Sequence, residues 1–332
     1  MSVKTISQAL HEALRNEMLR DPSVFTIGEE CGFDGLYGVS TDLEKEFGDK
    51  RVIATPISEA GFVGMSVGAA MRGMRPVAEL MYIDFIGVCM DQIINQAAKM
   101  CYMTGGQISV PMVLRLPMGS GRRNAGQHSQ NLESLLTHIP GLKIVAPITP
   151  YDAKGMLTAA IRDDDPVVMI EHKLCYGIEG EVPDEDYVVP FGQAAVRREG
   201  TDVTLIGWSR QVLNELQAAE ILDREGIHAE VIDIRSLVPL DFDTIAASVR
   251  KTGRALVAQE CVNRGGYGGE ISAQISEQLF DVLKAPVVRI GAKNIVPPFA
   301  HTLEDAFFPN TEDIVAAVRT MMKGGETDTW TK

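Results

Sequence analysis

The chain has 332 residues, 45% hydrophobic and 23% charged, a composition that excludes disordered, collagen-like and coiled-coil proteins. That length suits two domains of roughly 100 to 200 residues each. Acidic residues outnumber basic ones 45 to 31, and the net charge of −14 argues against nucleic acid and anionic membrane surfaces as partners.

The amino-terminal stretch MSVKTISQALHEALRNEML alternates polar and apolar residues at helical spacing and lacks the continuous apolar run of a signal peptide. Beyond it, short β-rich runs alternate with helical patterns. VFTIGEE, RVIATPIS, RPVAELM, VPMVLRLP, LKIVAPI and PVVMIEHK read as strands, and their nearly unbroken apolar character implies a parallel sheet covered on both faces, an α/β fold. Glu59–Gly73 and Phe85–Met103 read as helices, and Thr149 followed by Pro150 reads as the cap that opens a third. The most apolar central stretch, Pro76–Ile94, is interrupted by Glu79, Asp84 and Asp91, so no membrane span is expected.

Around 176 to 192 the rhythm gives way to glycines, prolines and acidic residues, which reads as an interdomain connection. The expected division is a first domain over 1–185, a linker region over 186–200 and a second, smaller α/β domain over 201–325. In that second part DVTLIGW, HAEVIDI, RALVAQE and PVVRIGA alternate with helices near Gln211–Glu225, Phe242–Lys251 and Gly269–Leu283. The five cysteines show no Cys-x-x-Cys spacing, which fits reduced thiols in a cytoplasm.

Chemistry is sought first in glycines and histidines. GGYGGE at Gly265–Glu270 lacks the G-x-G-x-x-G order and reads as a tight turn with close backbone approach. The six histidines are scattered without HExxH spacing, so no side-chain metal cage is expected. His138 and His172 read as structural.

TPISEAGFVG is more informative, because Glu59 stands where a strand yields to a helix, and ligands in open α/β sheets bind beyond the carboxyl ends of strands. On spacing alone, the helix dipole is explanation enough for a glutamate in a first turn. Gly61, Gly64 and Gly68 give the same helix a smooth face for close approach of another helix or subunit. A second candidate is the loop RLPMGSGRRNAGQHSQ, where His128 could act as base or proton donor, and where Arg122 and Arg123 read equally well as a solvated basic patch.

TPISEAGFVG, ELMYIDFIGVCMDQIINQAAK, GQHSQ, HIPGLKIVAP, YDAKGML and DVTLIGW together resemble, in order along the chain, the β subunits of thiamine-diphosphate-dependent 2-oxo acid dehydrogenase (E1) components. The resemblance implies a pyrimidine-binding domain followed by a transketolase C-terminal domain. It also implies an α2β2 heterotetramer whose α subunit holds the diphosphate and magnesium through a GDG motif. No GDG occurs in this chain, so it should hold only the aminopyrimidine half of thiamine diphosphate and be inactive alone.

By the same resemblance Glu59 hydrogen-bonds the ring nitrogen N1′ of the aminopyrimidine, Phe85 packs on that ring, and His128 acts on the substrate-derived group and its transfer to a lipoyl arm. A monovalent cation, usually potassium, is implied near Ala160, Asp163 and Asp165. The blocks ELMYIDFIGVCMDQIINQAAK and EVPDEDYVVPFG look closest to acetoin dehydrogenase β subunits; pyruvate, a branched-chain 2-oxo acid or a split transketolase reaction are the alternatives. Two departures stand out. Lys293 and Asn294 occupy an ordinarily acidic site where a lipoyl-bearing E2 would dock, and the paired arginines suggest a channel open to anionic or larger substrates.

Overall fold

The computed structural model describes residues 1–32 and 37–324. They divide into two compact units, one formed by Met1–Met118 with Leu135–Phe191, the other by Gly119–Ser134 with the chain from Gly192 onward. Residue 325, the expected end of the second domain, lies outside the described residues.

In the first unit the strands are β1 (Ser2–Thr5), β2 (Val24–Gly28), β3 (Val52–Ala54), β4 (Arg75–Glu79), β5 (Val113–Met118), β6 (Lys143–Val145), β7 (Val167–His172) and β8 (Glu179–Val182). Six of them form parallel pairs in the order β6-β7-β5-β4-β2-β3, while β1 and β8 make a separate antiparallel pair. Every residue of β2, β5 and β7 is buried, as expected of strands covered on both faces. The helices are α1 (Ile6–Arg20), α2 (Leu43–Phe47), α3 (Glu59–Met71), α4 (Met100–Met103) and α6 (Pro150–Arg162), with the short α5 (Glu133–Thr137) beginning in the segment that belongs to the second unit. The expected cap is present, since the Thr149 side chain accepts from the amide of Asp152 and Pro150 takes the first helical position.

Phe85–Met103 is not one α-helix. It is a 3-10 helix (Ile83–Cys89), a π-helix (Gln92–Ala97) and α4 in succession. Ile83, Ile86 and Cys89 are buried at every third residue, which three residues per turn keeps on one face, and the next buried positions, Ile93 and Ala97, fall four apart where the turn widens.

The second unit contains β9 (Ala195–Arg198), β10 (Val203–Gly207), β11 (Ala229–Asp233), β12 (Ser236–Val238), β13 (Ala255–Val262) and β14 (Val288–Ala292), with α7 (Gln211–Asp223), α8 (Phe242–Thr252), α9 (Gly268–Gln278), α10 (His301–Asp305) and α11 (Thr311–Met322). Its sheet runs β14-β13-β10-β11-β9, parallel except for β9. Thus the region 186–200, read as a linker, already contributes an antiparallel edge strand. AVRR is half-exposed along its length, so it carries no apolar run to announce it. The GGYGGE turn presses on Gln259: a Cβ at Gly266 would stand 2.3 Å from its amide nitrogen, and the Gly268 amide donates to its oxygen at 2.8 Å.

Candidate active site

In the first unit chain order reverses beside β2, with β3 on one side and β4 on the other, and the crevice beyond the carboxyl ends at such a switch point is where open sheets bind ligands. The register sets Gly28 opposite Glu79, and a Cβ at residue 28 would meet the Glu79 carbonyl oxygen at 2.5 Å, so the strand ends pack too closely for any side chain there. Three segments leave this edge. Glu29 follows β2 directly, Thr55 follows β3 with its amide bonded to the Gly28 carbonyl at 2.9 Å, and Leu80–Tyr82 leads from β4 into the turn that carries Phe85.

Glu59 is the first residue of α3 and is 7% exposed. Ser58 precedes it without a side-chain cap, and Glu59 lies in the first turn, at the positive end of the helix. Phe62, Val63, Ser66, Val67 and Ala70 continue the buried stripe, which anchors the helix and fixes where Glu59 lies. Among the described residues the Glu59 carboxyl takes part in no ion pair or side-chain hydrogen bond. Gly61 and Gly68 are exposed, and Gly64 faces the Gln92 side chain at 3.4 Å.

Glu29 was not singled out by the sequence, although two glutamates following a largely apolar strand are a legible signal. Burial, then the neighbouring carboxylates Glu59 and Glu30, push its carboxyl up to about 7. Its Oε1, together with Thr55 Oγ1 and Gln92 Oε1, is buried without a hydrogen-bond partner. Gln92 Oε1 can only accept, and Glu29 Oε1 accepts whenever its carboxyl is ionised, so donors from a bound amine or protonated ring would satisfy them. A half-buried phenyl ring at Phe85, whose amide donates to Tyr82 O at 2.8 Å, offers an apolar face. This donor-poor, acceptor-rich edge fits an aminopyrimidine.

One strand away the same edge is closed by charge. Arg115 donates to Glu171 at 2.7 and 2.6 Å and also to Glu79, and the Tyr176 hydroxyl donates to Glu171, all four groups being buried. Burial pushes the Glu79 carboxyl up against the pull of Arg115.

His128 belongs to the second unit, on the segment Gly119–Ser134, and is half-buried. Arg123 does not line a channel as a free cation; it pairs with Glu304 and with Asp305 at 2.7 Å. Beneath the segment, Glu133 accepts from the Trp208 indole at 3.3 Å, and burial, offset in part by its own backbone and worsened by Glu260, raises its carboxyl to about 7. His172 is buried and accepts from the Leu174 amide at 3.2 Å, whereas His138 is exposed rather than anchored.

At the carboxyl end of α6, Asp163 and Asp165 do not stand open to a cation, because Lys143 bridges them at 2.8 and 3.0 Å. The Ala160 carbonyl accepts from the Asp163 amide at 3.3 Å, and Arg75 holds the carbonyls of Ile161 and Asp163 at 3.0 and 2.9 Å. Among the described residues no cluster of histidine, cysteine or carboxylate side chains could hold a metal, and no helix is long and apolar enough to cross a membrane.

Residues 2–178 match the transketolase pyrimidine-binding domain and residues 192–314 the transketolase C-terminal domain. The β subunit of acetoin:2,6-dichlorophenolindophenol oxidoreductase from Cupriavidus necator is 49% identical, covering 97% of this chain and 98% of that one. The Bacillus subtilis protein of the same name is 46% identical over 95% and 96%. The mitochondrial pyruvate dehydrogenase E1 subunit beta-2 of Oryza sativa is 48% identical over 95% and 85%. Among solved structures, a split-gene transketolase described as an inactive beta4 tetramer superposes with a TM-score of 0.79 at 23% identity, over 97% of this chain and 99% of that one, a likeness of fold.

Proposed function

We propose a function from one premise: the chain belongs to the β subunits of thiamine-diphosphate-dependent 2-oxo acid dehydrogenase E1 components. Within that family our reading is an acetoin-cleaving subunit, which with its α subunit releases acetaldehyde and passes the remaining two-carbon unit oxidatively to the lipoyl group of an E2 component, yielding acetyl-CoA. The observation that carries the active-site reading is the nearly buried carboxyl of Glu59 at the head of α3, which makes no ion pair among the described residues.

When bound, thiamine diphosphate supplies a thiazolium carbon that attacks the substrate carbonyl. Glu59 would hold a proton at pyrimidine N1′, which only a carboxyl on this edge is placed to share. Phe85 would hold the ring by stacking, without competing for protons. His128 would donate to oxygen on the substrate-derived group and assist its transfer. The absence of a GDG motif leaves the diphosphate and magnesium to the α subunit in an α2β2 assembly. Potassium near Ala160, Asp163 and Asp165 would have to bind through main-chain carbonyls, since Lys143 already neutralises the two carboxylates. Lipoyl-bearing E2 is the proposed acceptor partner, with exposed Lys293 and Asn294 where an acidic contact is usual, and the cytoplasm is the proposed location.

Reconstitution tests this reading. The chain alone should not reduce 2,6-dichlorophenolindophenol; with its α subunit and thiamine diphosphate it should do so from acetoin. Turnover of pyruvate and none of acetoin would move the substrate to the second reading, which the 48% identity of the rice relative favours. No turnover of either, with ketol transfer between sugars, would replace both.

A further inference from the structure

The segment that presents His128 is unusually wound. Its backbone is left-handed at Gly119 (φ 99°), Gly121 (φ 93°), Arg123 (φ 61°) and Ala125 (φ 60°). Glycine accepts this conformation readily, but at Arg123 and Ala125 a Cβ crowds the following carbonyl, and such residues persist only where their surroundings over-determine them.

Glu304, on α10, supplies that determination. Its side chain is fully buried, at 0% exposure. Its carboxylate accepts from the Gly121 amide at 2.8 Å and from the Arg123 amide at 3.2 Å, and the Arg123 guanidinium closes on the same group while reaching Asp305 at 2.7 Å. One side chain therefore binds two alternate amides of the loop, and its charge strengthens each bond. Just before them, the Ser120 amide donates to Glu260 at 3.1 Å and its hydroxyl to the Ser129 carbonyl at 2.6 Å, tying down the residue after His128. The His128 amide donates to the Ala125 carbonyl at 3.3 Å, so the turn that carries the imidazole starts at the last left-handed residue.

We infer that Glu304 is a positioning residue for His128: its carboxylate sets the backbone of 121–125, and the turn from Ala125 carries that setting to the imidazole. The inference rests on the reading of His128 proposed above. Glu304 touches neither substrate nor cofactor in this scheme and acts only through the loop.

A double-mutant cycle in the enzyme reconstituted with its α subunit, assayed with acetoin and 2,6-dichlorophenolindophenol, tests it. Glu304→Gln keeps the volume but turns an amide NH2 toward donors, and should lower kcat about 10- to 100-fold with little change in KM. In a His128→Ala background the same substitution should change kcat by less than about twofold, because there is no imidazole left to misplace. Hydrogen exchange at the Gly121 and Arg123 amides should quicken while protection of β10 and β13 holds. Multiplying losses in the cycle, unchanged exchange in the loop, or full turnover by Glu304→Gln would each overturn the role of Glu304 alone. Full turnover by His128→Ala would overturn the parent reading, and this one with it. Should Glu304→Gln fail to fold, Arg123→Gly removes the guanidinium clamp and the left-handed Cβ together but keeps both carboxylate caps. It should show a smaller loss that again vanishes without His128, and losses that multiply there would overturn the inference.

Discussion

Two pairs of carboxylates stand at the strand ends of the first unit, and they are treated in opposite ways. Glu79 and Glu171 end up around the guanidinium of Arg115, with Tyr176 donating as well, and every group is buried and satisfied. Glu29 and Glu59 influence each other electrostatically, yet among the described residues neither joins an ion pair. The two carboxylates around Arg115 tie β4, β5 and β7 together. Glu29, left in the crevice beside Glu59, has its carboxyl pushed up to about 7 and an unmet hydrogen bond at Oε1, which are properties a proton-sharing group needs. On the proposed function the first pair is framework and the second is chemistry.

That distinction can be broken by substitution. The largest effect on turnover is expected from Glu59→Ala, about 10²- to 10⁴-fold in kcat for the reconstituted enzyme, with the unfolding midpoint of the chain nearly unchanged. Unaltered turnover would make the chain an assembly subunit. The framework pair should behave the other way round. Arg115→Met strands two buried carboxylates and should cost about 3 to 5 kcal/mol in urea unfolding, which would appear as loss of folded protein before any specific kinetic defect.

A buried acid in the second unit sharpens the same point through pH. Glu133 keeps its proton in the folded chain up to about pH 7, whereas unfolding returns it to the ordinary glutamate value of 4.5. The stability tied to this raised value is complete below 4.5 and is lost as pH rises through 7, so Glu133→Gln should gain stability over the parent on the order of 3 kcal/mol at pH 8 and nothing at pH 4. Denaturant titrations at the two pH values check it, and an equal gain at both would contradict it. The smallest effect belongs to Glu29→Gln, which should remove an inflection near pH 7 from the kcat/KM profile while changing the plateau less than about tenfold.

Much of this was legible beforehand, for stated reasons. The strands β2, β5 and β7 are mostly apolar because both faces are covered, and the cap at Thr149 uses residues with little other purpose there. Glu59 was visible because a strand and a helix meet at it. β9 was hidden because a half-exposed edge strand needs no apolar run, and the broken helix after β4 was hidden because apolar spacing of three and of four reads alike in one dimension. The Arg123–Glu304 contact spans 181 residues, and no local pattern encodes which of two adjacent arginines meets a carboxylate. Glu29 needed only the observation that acidic residues close a buried strand.

The account stands on the proton shared by Glu59, and a structure of the α–β assembly with thiamine diphosphate bound tests it most directly. It should place a Glu59 carboxyl oxygen about 2.6 to 3.2 Å from pyrimidine N1′, with the Phe85 ring against the pyrimidine face. A cofactor whose ring nitrogen lies beyond hydrogen-bond reach of that carboxyl, or is met by a different side chain, would contradict it.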